Sequence, residues 1–344
     1  MDRKERFYRT IAREPVDRNA SWLGLPAEQA VPGLLRYFGA GSVNELKAKL
    51  GDDVYPIEMP YESPTSHAIY TALNFAKKTE IDDFDRSLTV PGFFQDMEDP
   101  ELVRTFDWPD PTRHISRERS RQLAGQVPAD AAALGVIWSA HFQDTCAAFG
   151  MENALMTMIT CPEMFAAVDN RIVEFYLQAN EVFFEATRGK LDAVLIGNDL
   201  GSQRGLMISP DQVRQFVLPG SRRLIRQAKS YGLKVIYHSC GSVEPIIGDL
   251  IDSGVDVVHP IQALATGMEP QHLHDRFGSR VCFCGGVDAQ ELLVHGTPEA
   301  VHAATLNLKR IFPTGLIISP SHEAILPDVN PANIDALFRA VRGQ

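Results

Sequence analysis

His238 and Cys240 are two good metal ligands at the end of an apolar, β-branched run that starts at residue 234. Residues two apart in a strand point to the same face, so the imidazole and the thiol project together beyond the run. Zinc in proteins takes three or four ligands, usually from Cys, His, Asp or Glu. Cys284 and His322 follow later apolar runs in the same way. The pattern therefore predicts a zinc site that is gathered from several strand ends.

Further polar residues stand at or just beyond the ends of other apolar runs. Asp199 follows one such run, where its carboxylate would face the same edge as the zinc candidates. A single histidine or carboxylate in such a place is more often structural than functional, and it is the number of them that indicates a site. The residues expected to lie near a substrate are Trp22, Glu58, His141, Gln203 and His259.

Eight apolar runs alternate with helical segments, which is typical of repeated β-α units and a parallel sheet. Eight strands predict an α/β fold of the (β/α)8 or TIM barrel type, and barrels of this kind reach 344 residues as one domain. We expect a single domain over residues 1–344, with its active site at the carboxyl ends of the strands. The predicted strands are 20–25, 54–59, 132–138, 193–198, 234–238, 255–260, 280–284 and 315–319.

The helical segments are clearest in the second half of the chain. Residues 151–186 carry apolar side chains at helical spacing, and Ser209 caps another helix that opens with Pro210. Pro219 is expected to interrupt that helix or to begin its successor. Residues 61–109 are longer than a simple β-α unit needs and rich in proline, aspartate and aromatic residues. We expect this segment to be an elaboration near the mouth of the barrel.

The five cysteines are odd in number and lack the spacing of a disulfide scaffold, so we expect free thiols. Cys146 and Cys161 lie in helical sequence and are predicted to be small core hydrophobes. Cys282 comes two residues before Cys284 and would lie deeper on the same strand, in the barrel core. Cys284 borders two glycines and is the better candidate ligand.

Charge and hydropathy exclude some classes of partner. A net charge of −11 and a pI near 5.4 argue against nucleic acid, because phosphate binding needs a concentrated basic patch. The amino terminus begins charged, and no stretch approaches the roughly 20 apolar residues of a membrane span. We therefore expect a cytoplasmic protein that acts on a small molecule or on a protein partner, with no membrane partner.

Several motifs resemble the uroporphyrinogen decarboxylase superfamily, from near the start of the chain to its end. They are GNDLGSQRG at 197–205, YHSCG at 237–241, DVVHP at 256–260, CGGVD at 284–288, SPSH at 319–322 and LPDVNPANI at 326–334. The resemblance implies a (β/α)8 barrel, in agreement with the strand count. It leaves the activity open, because the superfamily contains metal-free decarboxylases and also zinc enzymes that move methyl groups from corrinoid proteins to thiols.

The motifs favour the methyltransferase branch over true decarboxylases. The arginine-rich signature RQAGR, which binds porphyrinogen carboxylates in that family, is replaced by RNASWLGLP at 18–26. The zinc pattern of the branch is His-x-Cys followed much later by Cys, and His238 with Cys240 match its first part. Methylcobalamin:coenzyme M methyltransferases usually show SPGC near the end, where this chain has SPSH. The last ligand would therefore be His322 or Cys284.

The resemblance implies a zinc-dependent methyltransferase that moves a methyl group between a corrinoid, such as methylcobalamin on a partner protein, and a thiol or a methylated substrate. Asp199 and Glu323 would be the catalytic residues, as proton acceptors or as partners that orient a ligand. Two alternatives stay open. One is a metal-free decarboxylase or lyase on the same barrel, and the other is a non-catalytic relative that binds a corrinoid or another tetrapyrrole.

Overall fold

Parallel strands form one curled sheet in the computed structural model, which describes residues 1–75 and 90–344. The strands of this described part are β1 Leu25–Pro26, β2 Val54–Glu58, β3 Ala132–Trp138, β4 Ala193–Gly197, β5 Lys234–His238, β6 Val257–Ile261, β7 Cys282–Val287, β8 Leu316–Pro320 and β9 Ala324–Ile325. The sheet runs in the order β2 to β8, and each strand lies parallel to the next in sequence. Strands β1 and β9 form a separate parallel pair. The carboxyl ends of β2 to β8 therefore meet at one edge, called the mouth below.

Helices connect these strands and cover the outside of the sheet. The α-helices described are α1 Arg3–Ala12, α2 Val31–Phe38, α3 Val43–Leu50, α4 Arg117–Gly125, α5 His141–Phe149, α6 Met151–Thr160, α7 Pro162–Ala186, α8 Pro210–Gln212, α9 Leu218–Ser230, α10 Glu244–Asp252, α11 Pro270–Phe277, α12 Leu292–His295, α13 Pro298–Ile311 and α14 Pro331–Arg342. Short 3₁₀ turns lie at Ile69–Thr71, Pro100–Thr105 and Pro111–Arg113, and a π-helical turn lies at Val213–Val217. Among the described helices, none combines the length and the apolar character that a bilayer crossing needs.

The predicted helices at 151–186 and after Ser209 are observed with local changes. The first is divided into α6 and α7, with Cys161 between them in a non-helical conformation and Pro162 opening α7. Ser209 and Gln212 form a capping box that starts α8, as the sequence indicates. This helix continues through the π-helical turn into α9, where Pro219 is the second residue. Pro219 thus begins the successor helix.

The expected closed eight-stranded barrel is observed only as a seven-stranded curled sheet, because residues 20–25 do not form the predicted regular strand. Ser21 makes an isolated parallel bridge to Ile318, and its carbonyl accepts a hydrogen bond from Asp53 N at 3.2 Å. The N–H groups of Ser21 and Leu23 instead donate to the carboxylates of Asp53 and Asp52, at 2.8 and 3.0 Å. Side-chain acceptors thus replace a backbone ladder to β2, and the segment lies between the two edges of the sheet without closing it.

Apolar side chains fill both faces of the sheet, as expected for parallel strands that are covered by helices. The inner face packs Leu134, Leu195, Ile236 and Ile317 together. Phe7 from α1 joins this cluster, so the amino-terminal helix packs against the sheet interior as well as against β7 and β8. The outer face packs against α5, α7, α9, α10 and α13 in a second cluster. This core holds the strand ends at the mouth in fixed relative positions.

The expected elaboration at 61–109 includes residues 76–89, which lie outside the described residues. Its described parts contain 3₁₀ turns and an aromatic cluster in which Phe94 lies among Phe75, Phe106 and Trp108. Phe94 N donates to the carbonyl of Ala148 at 2.9 Å, so the cluster is attached to α5.

Candidate metal centre

Three side chains with metal-binding atoms meet at the ends of the neighbouring strands β4 and β5. Gly197 and His238 are paired in the register of these strands, and Asp199 and Cys240 each follow two residues later. The Nε2 atom of His238 lies 3.1 Å from Asp199 Oδ1 and 3.4 Å from Cys240 Sγ. The backbone N–H of Cys240 also donates to Asp199 Oδ1, at 3.1 Å. The side chains that strand periodicity places together are therefore in contact, with Asp199 as a third member.

Two glycines allow the loops after β4 and β5 to approach each other closely. A Cβ on Gly201 would lie 2.7 Å from the carbonyl oxygen of Cys240 and 2.9 Å from Ser242 N. Gly241 has a φ of 82°, in the left-handed region that favours glycine. The backbone of the second loop also donates from Ser242 N to Ser202 O at 2.8 Å. The position of Cys240 relative to Asp199 is therefore set by backbone packing between the loops.

His238 presents its second nitrogen to a different group of residues. Its Nδ1 lies 3.0 Å from Nδ1 of His259 and 3.5 Å from Oε2 of Glu323. Burial and the nearby charges of His238 and His322 lower the pKa of His259 well below its ordinary value, so its imidazole is neutral. We assign the shared proton to Nδ1 of His238. Loss of the Nε2 proton, which Asp199 accepts in the metal-free cluster, would leave Nε2 as a ligand atom beside Cys240.

His322 lies close enough to the Cys240 thiol for each group to shift the pKa of the other. Its Nδ1 accepts from Ala324 N at 3.0 Å and lies 3.7 Å from Oε2 of Glu323. Because Nδ1 is occupied, Nε2 is the nitrogen left for the thiol. His322 comes from the turn between β8 and β9, so this contact joins the last strand of the sheet to the centre of the mouth.

Cys284, the other candidate for the remaining ligand, lies elsewhere. Its side chain is fully buried in the inner apolar cluster of the sheet, where Sγ lies 3.4 Å from Ser319 Oγ. Burial raises the pKa of this thiol to about 12, so it stays protonated at neutral pH. Of the two alternatives, the structure brings His322 to Cys240 and leaves Cys284 in the core. Cys146 and Cys282 are buried as well, in line with their expected core positions.

Charges in the cluster stabilise one another. Burial acts to raise the pKa of Asp199, but hydrogen bonds with His238 and the Cys240 backbone hold it well below its usual range. Burial acts to lower the pKa of His238, whereas the charge of Glu323 and the bond with Asp199 raise it well above its ordinary value. Burial opposes ionisation of Cys240, yet hydrogen bonds from both imidazoles lower the pKa of this thiol. The bond to Cys240 raises the pKa of His322 in turn. The Cys240 thiol of the metal-free cluster therefore ionises more easily than an ordinary thiol.

Comparison with known proteins supplies the family. The model of the uroporphyrinogen decarboxylase (URO-D) family matches residues 89–344, well over half of the chain.

This chain belongs to the uroporphyrinogen decarboxylase family.

A solved methyltransferase from Methanosarcina mazei has the same overall fold as this URO-D family member. The TM-score is 0.72 at 19% identity, over 100% of this chain and 99% of that one. A protein from Listeria monocytogenes assigned as a vitamin-B12-independent methionine synthase aligns over 95% of this chain and 96% of its own, at 14% identity and a TM-score of 0.46. None of the curated proteins compared matches the sequence. The fold of the first structure is thus shared along the whole chain.

The donor set and its spacing fit a zinc ion. Bonds of about 2.0 Å to nitrogen and 2.3 Å to sulfur in a tetrahedral site place the ligand atoms about 3.5 Å apart. The separation of 3.4 Å between His238 Nε2 and Cys240 Sγ agrees with this value. Asp199 completes one group of three whose donor atoms all lie within 4.8 Å, and His238 also belongs to a second group with His259 and Glu323. Imidazole, thiolate and carboxylate are all ordinary zinc ligands, so the residues present suit this ion.

Three buried polar atoms near His238 have no hydrogen-bond partner within the described part of the chain. They are Trp22 Nε1, His259 Nε2 and Glu323 Oε2. The Trp22 ring packs on His259, with 5.3 Å between ring centroids. Glu323 Oε2 still has the ionic contact with His238 at 3.5 Å. Native proteins rarely leave buried polar atoms unpaired, so these atoms indicate that water or a ligand belongs beside them.

The remaining candidate residues lie farther from the cluster. His141 is fully buried under α7, where Nδ1 contacts Asp169 Oδ1 at 2.7 Å and Nε2 contacts Ser221 Oγ at 3.1 Å. Glu58 is exposed at the end of β2, where it lines a separate polar cavity of about 720 Å³. Gln203 lies on the loop after β4, where its amide donates to Gln262 Oε1 at 3.3 Å.

Two residues of the site were not predicted from the sequence. Trp138, at the end of β3, packs edge-on against His238 with 5.5 Å between centroids, and its φ of 51° is unusual for an aromatic residue. Gln262 accepts a hydrogen bond from Gly241 N at 2.8 Å and so supports the loop that carries Cys240. The signal for Trp138 was available, since it is an aromatic residue at a predicted strand end. Gln262 follows its strand in the same way and offered the same weak signal.

Proposed function

We propose that this URO-D family member is a zinc-dependent methyltransferase that moves a methyl group between a corrinoid, carried by a partner protein, and a thiol. The observation that carries the proposal is the cluster at the mouth. Its thiol, Cys240, lies within ligand spacing of His238 and in one group of donor atoms with Asp199, and His322 lies close enough to lower the pKa of this thiol. Such a set gives zinc three protein ligands and leaves a fourth position for a substrate sulfur.

His238 Nε2 and Cys240 Sγ would hold the ion, with His322 Nε2 or an Asp199 oxygen as third ligand. Zinc would deprotonate a bound thiol, whose ordinary pKa is about 8.5, and so supply a thiolate nucleophile at neutral pH. Glu323 and His259 fix the orientation of the His238 ring through Nδ1, as partners behind a metal ligand commonly do.

The remaining carboxylate can take part in proton movement. Asp199 accepts from His238 and the Cys240 backbone through one oxygen, Oδ1, and about half of its side chain is exposed. Because its pKa is held well below the usual range, Asp199 would pass a proton on to solvent rather than keep it, and its second oxygen would serve as that relay. A corrinoid on the partner protein would supply the methyl group and would keep the electron pair of the bond that the substrate sulfur replaces. The thiol proton would pass by way of the Asp199 carboxylate to solvent.

A metal-free decarboxylase is the weaker alternative. Binding and decarboxylating a polycarboxylate needs cationic side chains at the mouth. Within the described residues, the ionic contacts of Asp199 and Glu323 are with histidines, and none is with lysine or arginine. The charge at the mouth therefore favours metal chemistry over recognition of several carboxylates.

Metal content tests the proposal. Protein purified without a metal-carrying tag is reconstituted with zinc under reducing conditions and measured by plasma mass spectrometry. We expect about one zinc per chain in the wild type, in Cys284→Ser and in Cys161→Ser, and loss of zinc in Cys240→Ser. His322→Ala and Asp199→Asn then show which of the two is the third ligand.

Zinc in the wild type would be followed by turnover assays with methylcobalamin and a panel of thiols. Absence of zinc after reconstitution, or full zinc content in Cys240→Ser, would contradict the proposal. Zinc binding and corrinoid binding without turnover with any thiol would instead support a non-catalytic corrinoid-binding relative.

A further inference from the structure

A small cavity is lined in part by His322, one of the candidate zinc ligands. Its volume is about 170 Å³. We propose that it holds the non-reacting end, or tail, of the substrate whose sulfur meets the zinc site, and that this tail is short and uncharged. The inference rests on the proposed function and names the class of its substrate. The cavity is lined by Gln203, Gln262, Leu264, Asp288, Ala289, Gln290, Ser321, His322, Ala324, Leu326 and Val329.

The volume limits the tail. A cavity of about 170 Å³ admits several water-sized groups, so a short chain or a small ring would fill it. This is well below the range of about 300 to 1,000 Å³ for pockets that bind larger ligands, so tetrapyrrole-sized groups are excluded.

The charge of the lining disfavours an anionic tail. Among the residues that line the cavity there is no lysine or arginine, and Asp288 adds a negative charge. The Asp288 carboxylate accepts from the N–H groups of Glu291 and Leu292, both at 2.8 Å, so it is already engaged and is a weak partner for a cation. The His322 ring already lies 3.7 Å from the Glu323 carboxylate, measured from Nδ1 to Oε2. A sulfonate or carboxylate would lose water here without gaining a lysine or arginine partner.

Gln262 offers a hydrogen-bond donor to an uncharged tail. Its Oε1 accepts from Gly241 N at 2.8 Å and from Gln203 Nε2 at 3.3 Å, which fixes the amide orientation. The NH₂ group of Gln262 then has no partner among the described residues and is free to donate to a carbonyl, ether or hydroxyl oxygen. The residue is itself only 8% exposed. An amide donor without a lysine or arginine nearby is the pattern that recognises a neutral oxygen.

Two leucines at the cavity rim support an apolar contact with the tail. Leu264 and Leu326 are 59% and 52% exposed, although both are large apolar side chains. They come from the turns after β6 and after β9, and they line the same cavity. A bound tail would cover part of both side chains, which is a favourable use of exposed apolar surface.

The test compares thiols that share the mercaptoethyl unit and differ at the far end: 3-mercaptopropanamide, 2-mercaptoethanol, 2-mercaptoethylamine and 2-mercaptoethanesulfonate. Affinity for the zinc-loaded protein is measured by calorimetry. Binding of propanamide and ethanesulfonate, which lack the thiol, to metal-free protein is measured by saturation-transfer NMR. We expect the uncharged probes to bind at least about tenfold more tightly than the sulfonate and the amine.

Two variants probe the cavity directly. Leu264→Lys adds a cation to the rim and should shift the preference toward the sulfonate by about tenfold, whereas Leu306→Lys, at an exposed leucine of α13 outside the lining, should not. Gln262→Glu keeps an acceptor for Gly241 N but loses the donor, so it should weaken 3-mercaptopropanamide about tenfold while zinc content stays unchanged.

Tighter binding of the sulfonate than of the amide by the wild type would overturn the inference, as would an unchanged preference in Leu264→Lys. If the wild type binds the sulfonate tightly and Arg204→Gln does not, then Arg204 on the loop after β4 is the cation that binds the sulfonate. The inference of an uncharged tail is wrong in that case as well. Failure of the proposed function is distinguishable. If the protein binds no zinc but still prefers propanamide over ethanesulfonate, the methyltransferase proposal is wrong and the cavity assignment stands. If it binds zinc but shows no such preference, the cavity assignment is wrong and the methyltransferase proposal stands.

Discussion

Substitution of Gly201 tests whether contact between the two loops places the candidate ligand Cys240. In Gly201→Ala, the added Cβ would lie 2.7 Å from Cys240 O and 2.9 Å from Ser242 N, closer than Cβ atoms come to such atoms in folded proteins. Both are backbone atoms, so the second loop has to move by about 0.5 Å or more to restore van der Waals contact. Overpacking of this kind destabilises a protein by about 1 to 3 kcal/mol. Displacement of groups that orient a ligand lowers metal affinity about 10- to 100-fold.

Gly205→Ala is the matched control for this experiment. Gly205 lies on the same loop, an added Cβ meets no heavy atom within 4 Å, and its φ is outside the left-handed region. Zinc affinity is measured by competition with a chromophoric chelator, on samples whose circular dichroism is native. The free energy of unfolding of the metal-free protein is measured in urea. We expect zinc affinity to fall in Gly201→Ala and to stay at the wild-type value in Gly205→Ala. Equal zinc affinities in the two variants would refute the claim that the loop contact positions Cys240.

Three further predictions follow from the contacts and charges described. Iodoacetamide should modify Cys240 of the metal-free protein at a lower pH than ordinary thiols, since the pKa of Cys240 is lowered, and should spare Cys284, whose buried thiol has a pKa of about 12. Peptide mass spectrometry after treatment between about pH 6 and about pH 9 tests this, and equal modification of the two cysteines would contradict it. His141→Ala should lower the free energy of unfolding in urea by about 2 to 4 kcal/mol, because Asp169 loses its buried partner at 2.7 Å; a loss within about 0.5 kcal/mol would count against a structural role. Asp53→Asn should lower the free energy of unfolding by about 3 kcal/mol, because Arg6 and Arg18 lose a buried anionic partner. An unchanged urea midpoint would show that these ion pairs contribute little to stability.

The sequence was most informative where one local pattern determines the structure. The strand predicted at 132–138 is observed with the same bounds, because its apolar run is buried on both faces and is bounded by polar residues. The contact between His238 and Cys240 followed from strand periodicity alone, since both residues come from one strand end. The family resemblance rested on longer motifs, and the match over residues 89–344 confirms it.

Features that depend on distant parts of the chain were harder to predict. Cys284 was expected at a strand end, but β7 continues to Val287, so the thiol lies within the sheet and faces its apolar interior. The extension includes Gly285 and Gly286, both with positive φ, which a period-two pattern does not reveal. His141 was expected near a substrate, but its partner Asp169 comes from another helix and holds it inside the core. Pairing between helices is a tertiary property that local sequence patterns do not encode.

The two halves of the candidate zinc site depend on different structural supports. His238 and Cys240 come from the centre of the sheet, where β5 is hydrogen-bonded to strands on both sides. His322 follows β8, the edge strand, which is held on its free side by the irregular segment that bonds to Ile318. That segment is fixed in turn by the carboxylate of Asp53. An edge strand with few backbone hydrogen bonds opens more easily than a central strand. If the amino-terminal segment loosens, we therefore expect His322 to be displaced before His238 and Cys240. Asp53→Asn should therefore weaken zinc binding as well as folding, even though residue 53 does not touch the metal site.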